Sequence, residues 1–517
     1  LKDDAPSAAY LPLTLGTMLD QLNDGVILAR LVNVPKPGSV DDKAVVAPAA
    51  GLQPTALAAL KRSNADVVLR GAASAGANVS GISPESVANG EEEPVCSALW
   101  EVLRLQALTD LPNAKGKEME TLVVPAAGES VSSLRSLPGE EIAARWMRKH
   151  LEKAGAPVPG PLADDVLQDQ GSMSVVQCDL SPSDCSKPRA GASVDEKADV
   201  SVNNARAMAV PTVMEGRHLV KSPKLARLFA AQNLKHRLAL DDQPRLAELD
   251  ALCDYINKYL KDDAPSQRYL PLAVPTMFDQ LSDGVVLSRL VNLPKPGTID
   301  DKAVVPPPKG IQPGALASLK KRNADGVLKG ASSVGCKVAG VTPENIVNGD
   351  EEPVTELLGE ILRLQALSDL PHAKGAEMDA LVGPGETAKD LEKLPGEEIA
   401  ARWMRKHLEK AGVPPRGPSA EDVLQDEGAL CAVQVDVAPA QCSLPAGGAN
   451  ATPATQADAA VKNAKAMGVP TVMEGHHLTR SPKLARLFAA QNLKSKLAAD
   501  DLPRLQGLDA MCDDVNK

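Results

Sequence analysis

The chain has 517 residues, a formal net charge of −11, 24% charged and 44% apolar residues, and only 2% aromatics. These proportions exclude a disordered acidic tail or a collagen-like fibre, and the length predicts three to four domains at about one per 150 residues. Four Tyr, three Phe and three Trp cannot supply stacking platforms for single-stranded nucleic acid, and the acidity disfavours phosphate backbones and anionic membranes; neither nucleic acid nor membrane is an expected partner.

Along the chain, Leu1-Lys2-Asp3-Asp4-Ala5-Pro6 does not form a signal peptide, and no stretch of 18 or more apolar residues marks a transmembrane helix. LKDDAPSAAYLPL at Leu1 recurs as LKDDAPSQRYLPL at Leu260. In the following MLDQLNDGVILARLVN, Leu19, Leu22, Val26, Leu28, Leu31 and Val32 keep helical spacing. Asp24-Gly25 is a turn pair that stops one helix and launches another. ALWEVLRLQAL, Ala98 to Leu108, is a further helix. The Gly- and Pro-containing stretches 112–136 and 371–393 read as linkers. LPGEEIAARWMRKHLEKAG then occurs identically from Leu137 and from Leu394.

On the helix from Glu140, residues Ile142, Ala143, Trp146, Met147, His150, Leu151 and Ala154 share one arc, which makes Trp146 and His150 core residues. The segments LQDQGSMSVVQCDLSP from Leu167 and LQDEGALCAVQVDVAP from Leu424 lack clear periodicity and read as degenerate, loop-rich stretches. SPKLARLFAAQNLK recurs from Ser222 at Ser481, and ELDALCDYINKY, Glu248 to Tyr259, recurs as GLDAMCDDVNK, Gly507 to Lys517. The repeat therefore starts just past one element and stops inside its next copy. A window of a longer array is the expected reading, with a terminal helix folding back onto the first unit as the other.

Eight scattered cysteines without a CxxC pair predict reduced, mostly buried thiols of a cytosolic protein, and no metal site. Neither a Walker A nor a GxGxxG stretch occurs, and no His sits in a catalytic signature; no cofactor and no enzymatic activity are expected.

TMLDQLNDGVILARLVNVPKPGSVDDKAVV (Thr17 to Val46) and TMFDQLSDGVVLSRLVNLPKPGTIDDKAVV (Thr276 to Val305) resemble the calponin homology domain, and more narrowly the odd-numbered domains of the fimbrin/plastin family. PVCSALWEVLRLQAL and PVTELLGEILRLQAL resemble that domain's last long helix. LPGEEIAARWMRKHLEKAG resembles the first helix of the even-numbered domains, and VPTVMEGRHLVKSPKLARLFAAQNL their closing segment. The resemblance implies an all-α fold: four calponin-homology-type helical domains arranged as two tandem pairs. The expected boundaries are 1–111 (lacking its first helix), 112–136 (linker), 137–240 (degenerate), 247–370, 371–393 (linker) and 394–499 (degenerate), with 505–517 the first helix of a further copy. The EF-hands that precede a fimbrin core are not seen, since no D-x-[DN]-x-[DN]-G loop occurs.

By resemblance, the filament-binding surface falls on Glu101, Arg104 and Gln106, on Arg145, Arg148, Lys149 and Lys153, and on their counterparts Glu360, Arg363, Gln365, Arg402, Arg405, Lys406 and Lys410. The plainer reading of the basic cluster is a solvated face with i, i+4 pairs to Glu141 and Glu152. The resemblance implies a non-enzymatic protein that binds and crosslinks actin filaments in the cytoplasm and cytoskeleton. The alternative is a structural scaffold or spacer of a microtubule-based assembly such as a ciliary axoneme, with axonemal proteins as partners. It is suggested by the near-identical copies and by the loss of the even-domain central helix.

Overall fold

The computed structural model describes residues 11–515 apart from 12, 15, 35, 109–110, 124–128, 301, 309 and 368–369. Among the described residues every regular element is helical, and none of the helices is long and apolar enough to cross a membrane. The chain divides into two units, Leu1–Gln243 and Pro244–Lys517.

In the second unit the short helices Met277–Leu281 and Val285–Val291 lead to the long helices Pro313–Ser333 and Glu351–Leu367. The Asp-Gly pair explains the first break. Gly284 adopts φ +78, a left-handed conformation open to glycine, and the Asp283 carboxylate accepts the N–H of Val285 at 3.0 Å. The Leu-Val-Asn ending has an equally local cause: the Asn292 side chain donates to the Ile299 carbonyl at 2.9 Å and accepts the Ile299 N–H at 2.8 Å. This folds the Pro-Gly-Thr-Ile turn back on the helix. Gly330 permits that close approach, because a Cβ there would lie 2.4 Å from Ile299.

A second device recurs four times. Asn323, fully buried on its long helix, donates to the Val305 carbonyl at 2.9 Å and accepts the Val305 N–H at 3.2 Å, with another donation to the Asp283 carbonyl. Asn64 does the same to Val46 and Asp24 in the first unit. Asn204 bridges the N–H and carbonyl of Ser186, and Asn463 those of Ser443. Each buried amide thus satisfies the backbone of an irregular loop that has no helix of its own.

The segments after Leu167 and Leu424 are not loop-rich. They form the helices Gln170–Leu180 and Glu427–Val437, followed by Val194–Ala207 and Pro453–Ala466. Asp169 and Asp426 cap the first pair by accepting the N–H of Ser172 and Ala429. The periodicity was blurred because these helices are enclosed on several sides: Gln170, Ser172, Met173, Ser174, Val176 and Gln177 are all buried. Gln177 donates to the Ser201 carbonyl and to Asn233, as Gln434 does to the Ala460 carbonyl and Asn492. The supposed linkers are packed as well, with Met119, Leu122 and Leu134 in the core of the first unit.

The closing segment and the acidic segment after it are one helix rather than two elements, Pro223–Tyr259 in the first copy and Pro482–Val515 in the second, with Pro244 and Pro503 inside them. Of the seven described cysteines, all free, Cys253, Cys336, Cys431 and Cys442 are buried. Burial pushes the Cys253 and Cys431 thiols up to about 12, so thiolate chemistry is suppressed there.

Replacing Asn323 by Ala strands three backbone groups. Asn323→Ala is expected to lower the unfolding free energy of the second unit by about 3 kcal/mol, measured by urea denaturation; a change within 0.5 kcal/mol, on the order of a neutral surface substitution, would contradict the bridging role.

Candidate functional site

The helix Gly139–Lys153 carries the basic residues proposed for filament contact on the flank of a buried arc. Ile142, Ala143, Trp146, Met147, His150 and Leu151 are buried as the wheel requires, and Ala144 with them. Every one of its predicted basic residues has an acidic partner from this chain. Arg145 donates to Glu129 at 2.9 Å and to Glu141 at 3.4 Å. Arg148 reaches Glu141 at 3.3 Å and the Pro161 carbonyl at 2.7 Å. Lys149 meets Glu118 at 2.6 Å and Lys153 meets Asp179 at 3.0 Å.

The second copy repeats this almost bond for bond. Arg402 pairs with Glu386, Arg405 with Glu398 and the Pro418 carbonyl, Lys406 with Glu377, and Lys410 with Asp436. The Glu141 pair matches the helical-spacing expectation, and the pairs through Glu118, Glu129 and Asp179 were not anticipated. They join residues 16 to 31 apart, beyond the reach of any periodicity rule.

Glu118 is the centre of this arrangement. His150 stands between two carboxylates, with Nδ1 2.6 Å from Asp179 and Nε2 3.1 Å from Glu118. The His150 hydrogen bond, opposed by burial and joined by Lys149, holds the Glu118 carboxyl at about 2, below its ordinary 4.5. His407 stands in the same way between Asp436 at 2.6 Å and Glu377 at 2.8 Å. One signal pointed here: an acidic residue recurs at this place in both linkers, in Lys117-Glu118-Met119 and Ala376-Glu377-Met378. With His150 only 3% exposed and edge-on to Trp146, this cluster offers no open face to a substrate.

The other predicted positions lie on the helices Glu92–Leu108 and Glu351–Leu367. Glu101 accepts the Asn78 N–H and the Arg104 guanidinium, and Arg104 also reaches Glu140 at 3.3 Å. Glu360 and Arg363 pair likewise, and Glu360 accepts the Lys337 N–H. The two glutamines differ. Gln106 is exposed, whereas Gln365 is half-buried and accepts the Tyr255 hydroxyl at 3.3 Å. Gln365 is therefore turned toward the core in a way that Gln106 is not.

A cluster outside the predicted set joins Asp254, His476 and His477, whose ligand atoms lie within 4.8 Å of one another. Its hydrogen bonds argue against a metal site. His477 Nδ1 accepts the Glu474 N–H at 2.9 Å, so the neutral ring carries its proton on Nε2 and donates to Asp254 at 2.8 Å. Lys258 also sits 3.2 Å from that carboxylate. The cluster is a hydrogen-bonded lock between the segment around Asp254 and the helix Gly475–Arg480.

With this geometry in place, the relatives can be named. Residues 247–365 match the calponin homology (CH) domain. Plastin-2 of Danio rerio is 31% identical over 191 residues, 37% of this chain and 30% of the plastin. Fimbrin-4 of Arabidopsis thaliana is 33% identical over 168 residues, 32% of this chain and 25% of the fimbrin. Residues 247–365 thus carry a calponin homology domain, and about a third of the chain is similar to plastins and fimbrins. Human plastin-3 is 32% identical over 164 residues, 31% of this chain and 25% of the plastin. The aligned part thus spans less than a third of the length of these relatives. The actin-crosslinking core of Schizosaccharomyces pombe fimbrin aligns with 95% of both chains at 17% identity, with a TM-score of 0.37, too low to carry an argument about arrangement. The CH match includes the acidic segment from Glu248, which places that segment within the domain.

The Glu118 cluster gives a pH prediction. Because the carboxyl is held at about 2 in the folded state against an ordinary 4.5, its stabilisation is complete above about pH 4.5 and is lost as pH falls toward 2. Glu118→Gln is expected to cost about 2 kcal/mol at pH 7 and to flatten that part of the acid limb of stability against pH, read by thermal melts of the whole chain. An unchanged acid limb would contradict the assignment.

Proposed function

We propose that this CH-domain protein binds actin filaments and crosslinks them, as a non-enzymatic component of the cytoplasmic cytoskeleton. The observation that carries this reading is the duplication. Each repeat places a CH-type helix set beside a second helical core built on LPGEEIAARWMRKHLEKAG, so one polypeptide carries two copies of the same prospective filament-binding surface. Two sites on one chain bridge filaments by effective concentration, without any new contact. The resemblance to fimbrin and plastin supplies actin as the filament. The scaffold alternative had rested partly on a missing central helix, and the helices Gln170–Leu180 and Glu427–Val437 remove that support.

The contact residues proposed are Glu101, Arg104, Gln106, Arg145, Arg148, Lys149 and Lys153 with their counterparts in the second copy. Their pairing with acidic residues of the same chain leaves little free positive charge, and the net charge is −11. Attraction to an acidic filament then depends on shape and apolar contact more than on steering.

Co-sedimentation of the full chain with purified actin tests this. The expected outcome is pelleting with filaments at high speed, bundles at low speed, and affinity that changes less than about tenfold between roughly 50 and 200 mM salt, far below the response of a strongly charge-steered complex. No pelleting at low salt, or pelleting with microtubules instead, would overturn the proposal.

A further inference from the structure

One exchange between the two copies removes a large side chain from an otherwise conserved setting. Trp100 on the helix Glu92–Leu108 becomes Gly359 on the helix Glu351–Leu367. The residues around the two positions are kept. Lys224 and Arg227 recur as Lys483 and Arg486, and the buried Leu108 and Leu228 recur as the buried Leu367 and Leu487.

In the first unit the indole fills this place. Trp100 packs against the second of that unit's apolar clusters. The Lys224 ammonium lies 5.4 Å and the Arg227 guanidinium 6.0 Å from its ring centroid, within reach of a cation–π attraction. The cleft on this face is lined by Arg104, Leu108, Pro138 and Glu140, measures about 200 Å³ and stops short of the ring.

In the second unit the same face opens into a cleft of about 760 Å³. It holds the counterparts Arg363, Leu367, Pro395 and Glu397 and continues over Gly359 to Lys483, Arg486 and Leu487. Its volume falls within the range of roughly 300–1,000 Å³ usual for ligand clefts. A Cβ on Gly359 would meet the flexible Lys483 stem alone, at 3.1 Å from Cδ and Cε, so the floor has room for a ring.

The two cations are already neutralised. Lys483 pairs with Glu248 and Arg486 with Glu421, each at 2.5 Å, as Arg227 pairs with Asp164 at 2.7 Å. They therefore offer polar faces to an aromatic ring more than net charge to an anion. Two further exchanges fall on the cleft wall: Asn78 becomes Lys337 and Ser97 becomes Glu356. Both new side chains are exposed. The cleft thus gains an ammonium and a carboxylate where it loses the indole.

We propose that the cleft over Gly359 receives a tryptophan side chain of a partner polypeptide. Lys483 and Arg486 hold that ring as Lys224 and Arg227 hold Trp100, and Lys337 and Glu356 select an acidic and a basic residue beside it. The site goes beyond the filament reading and does not depend on it.

Ligand-observed ¹⁹F NMR of N-acetyl-5-fluorotryptophanamide with the full chain tests this, since the fluorine signal is distinct from the three native tryptophans. Line broadening is expected, with a dissociation constant on the order of 0.1–1 mM for so small a ligand. Gly359→Trp supplies the ring from the helix itself and should abolish the broadening at unchanged helical circular dichroism. Lys483→Met keeps the stem, removes the charge and should weaken binding about threefold; it decides the matter if Gly359→Trp does not fold. A peptide carrying the fluorinated ring between aspartate and lysine should bind about threefold tighter than the amide. No broadening at about 5 mM, well above the expected range, overturns the proposal. So does binding that folded Gly359→Trp retains or that Lys483→Met leaves unchanged. A peptide that binds no better than the amide overturns the polypeptide partner and assigns the cleft to a small aromatic molecule.

Discussion

Buried asparagines hold this protein's loops to its helices. With aromatics at 2%, the cores are thin layers of Leu, Val, Ile, Ala and Met, and much of the chain between helices is irregular. Irregular backbone cannot be buried unless its N–H and C=O groups find partners. Asn64, Asn323, Asn204 and Asn463, each at most 3% exposed, supply both a donor and an acceptor to one loop residue apiece. The helices after Leu167 and Leu424 are placed by this constraint, since the bridges from Asn204 and Asn463 fix the turns that follow them. Sequence degeneracy in that region reflects enclosure on several sides, not loss of structure.

Charge is organised on the same principle of internal satisfaction. The helix from Gly139 looks like a cationic surface in the sequence, yet its arginines and lysines close on Glu118, Glu129, Glu141 and Asp179. These pairs tie the residues between the two cores of the first unit to that helix, so the intervening stretch behaves as packed structure rather than as a tether. Partly exposed pairs of this kind add little individually. The His150 cluster adds more, because an unpaired carboxylate or imidazole at that depth would be costly.

The repeat provides an internal control. The face carries changes between the copies, Gly359 standing where the first has Trp100; in the second unit it is the acidic segment Glu248–Tyr259 that packs on it. It seals an apolar seam and pairs with four basic or acidic side chains of the closing helices. In the second unit Leu249, Leu252 and Ile256 of this segment belong to one continuous core, whereas the described residues of the first unit form two clusters.

The sequence by itself determined the repeat, the helical class, the Asp-Gly and Pro-Gly turns, the buried arc of Trp146 and His150, and the likeness to fimbrin and plastin. These are legible because each depends on residues within one or two helical turns, where spacing and conformational preference decide. Only the tertiary structure decided that Arg145 closes on Glu129, that His150 lies between Glu118 and Asp179, that Gln365 turns inward under Tyr255 while Gln106 does not, and that Asn323 bridges to Val305. Those contacts join residues far apart in the chain, and an ion pair or amide bridge depends on distance and burial, which a linear pattern does not encode. The helix Gln170–Leu180 went unread for a related reason: amphipathic periodicity needs one wet face, and this helix is enclosed on most sides.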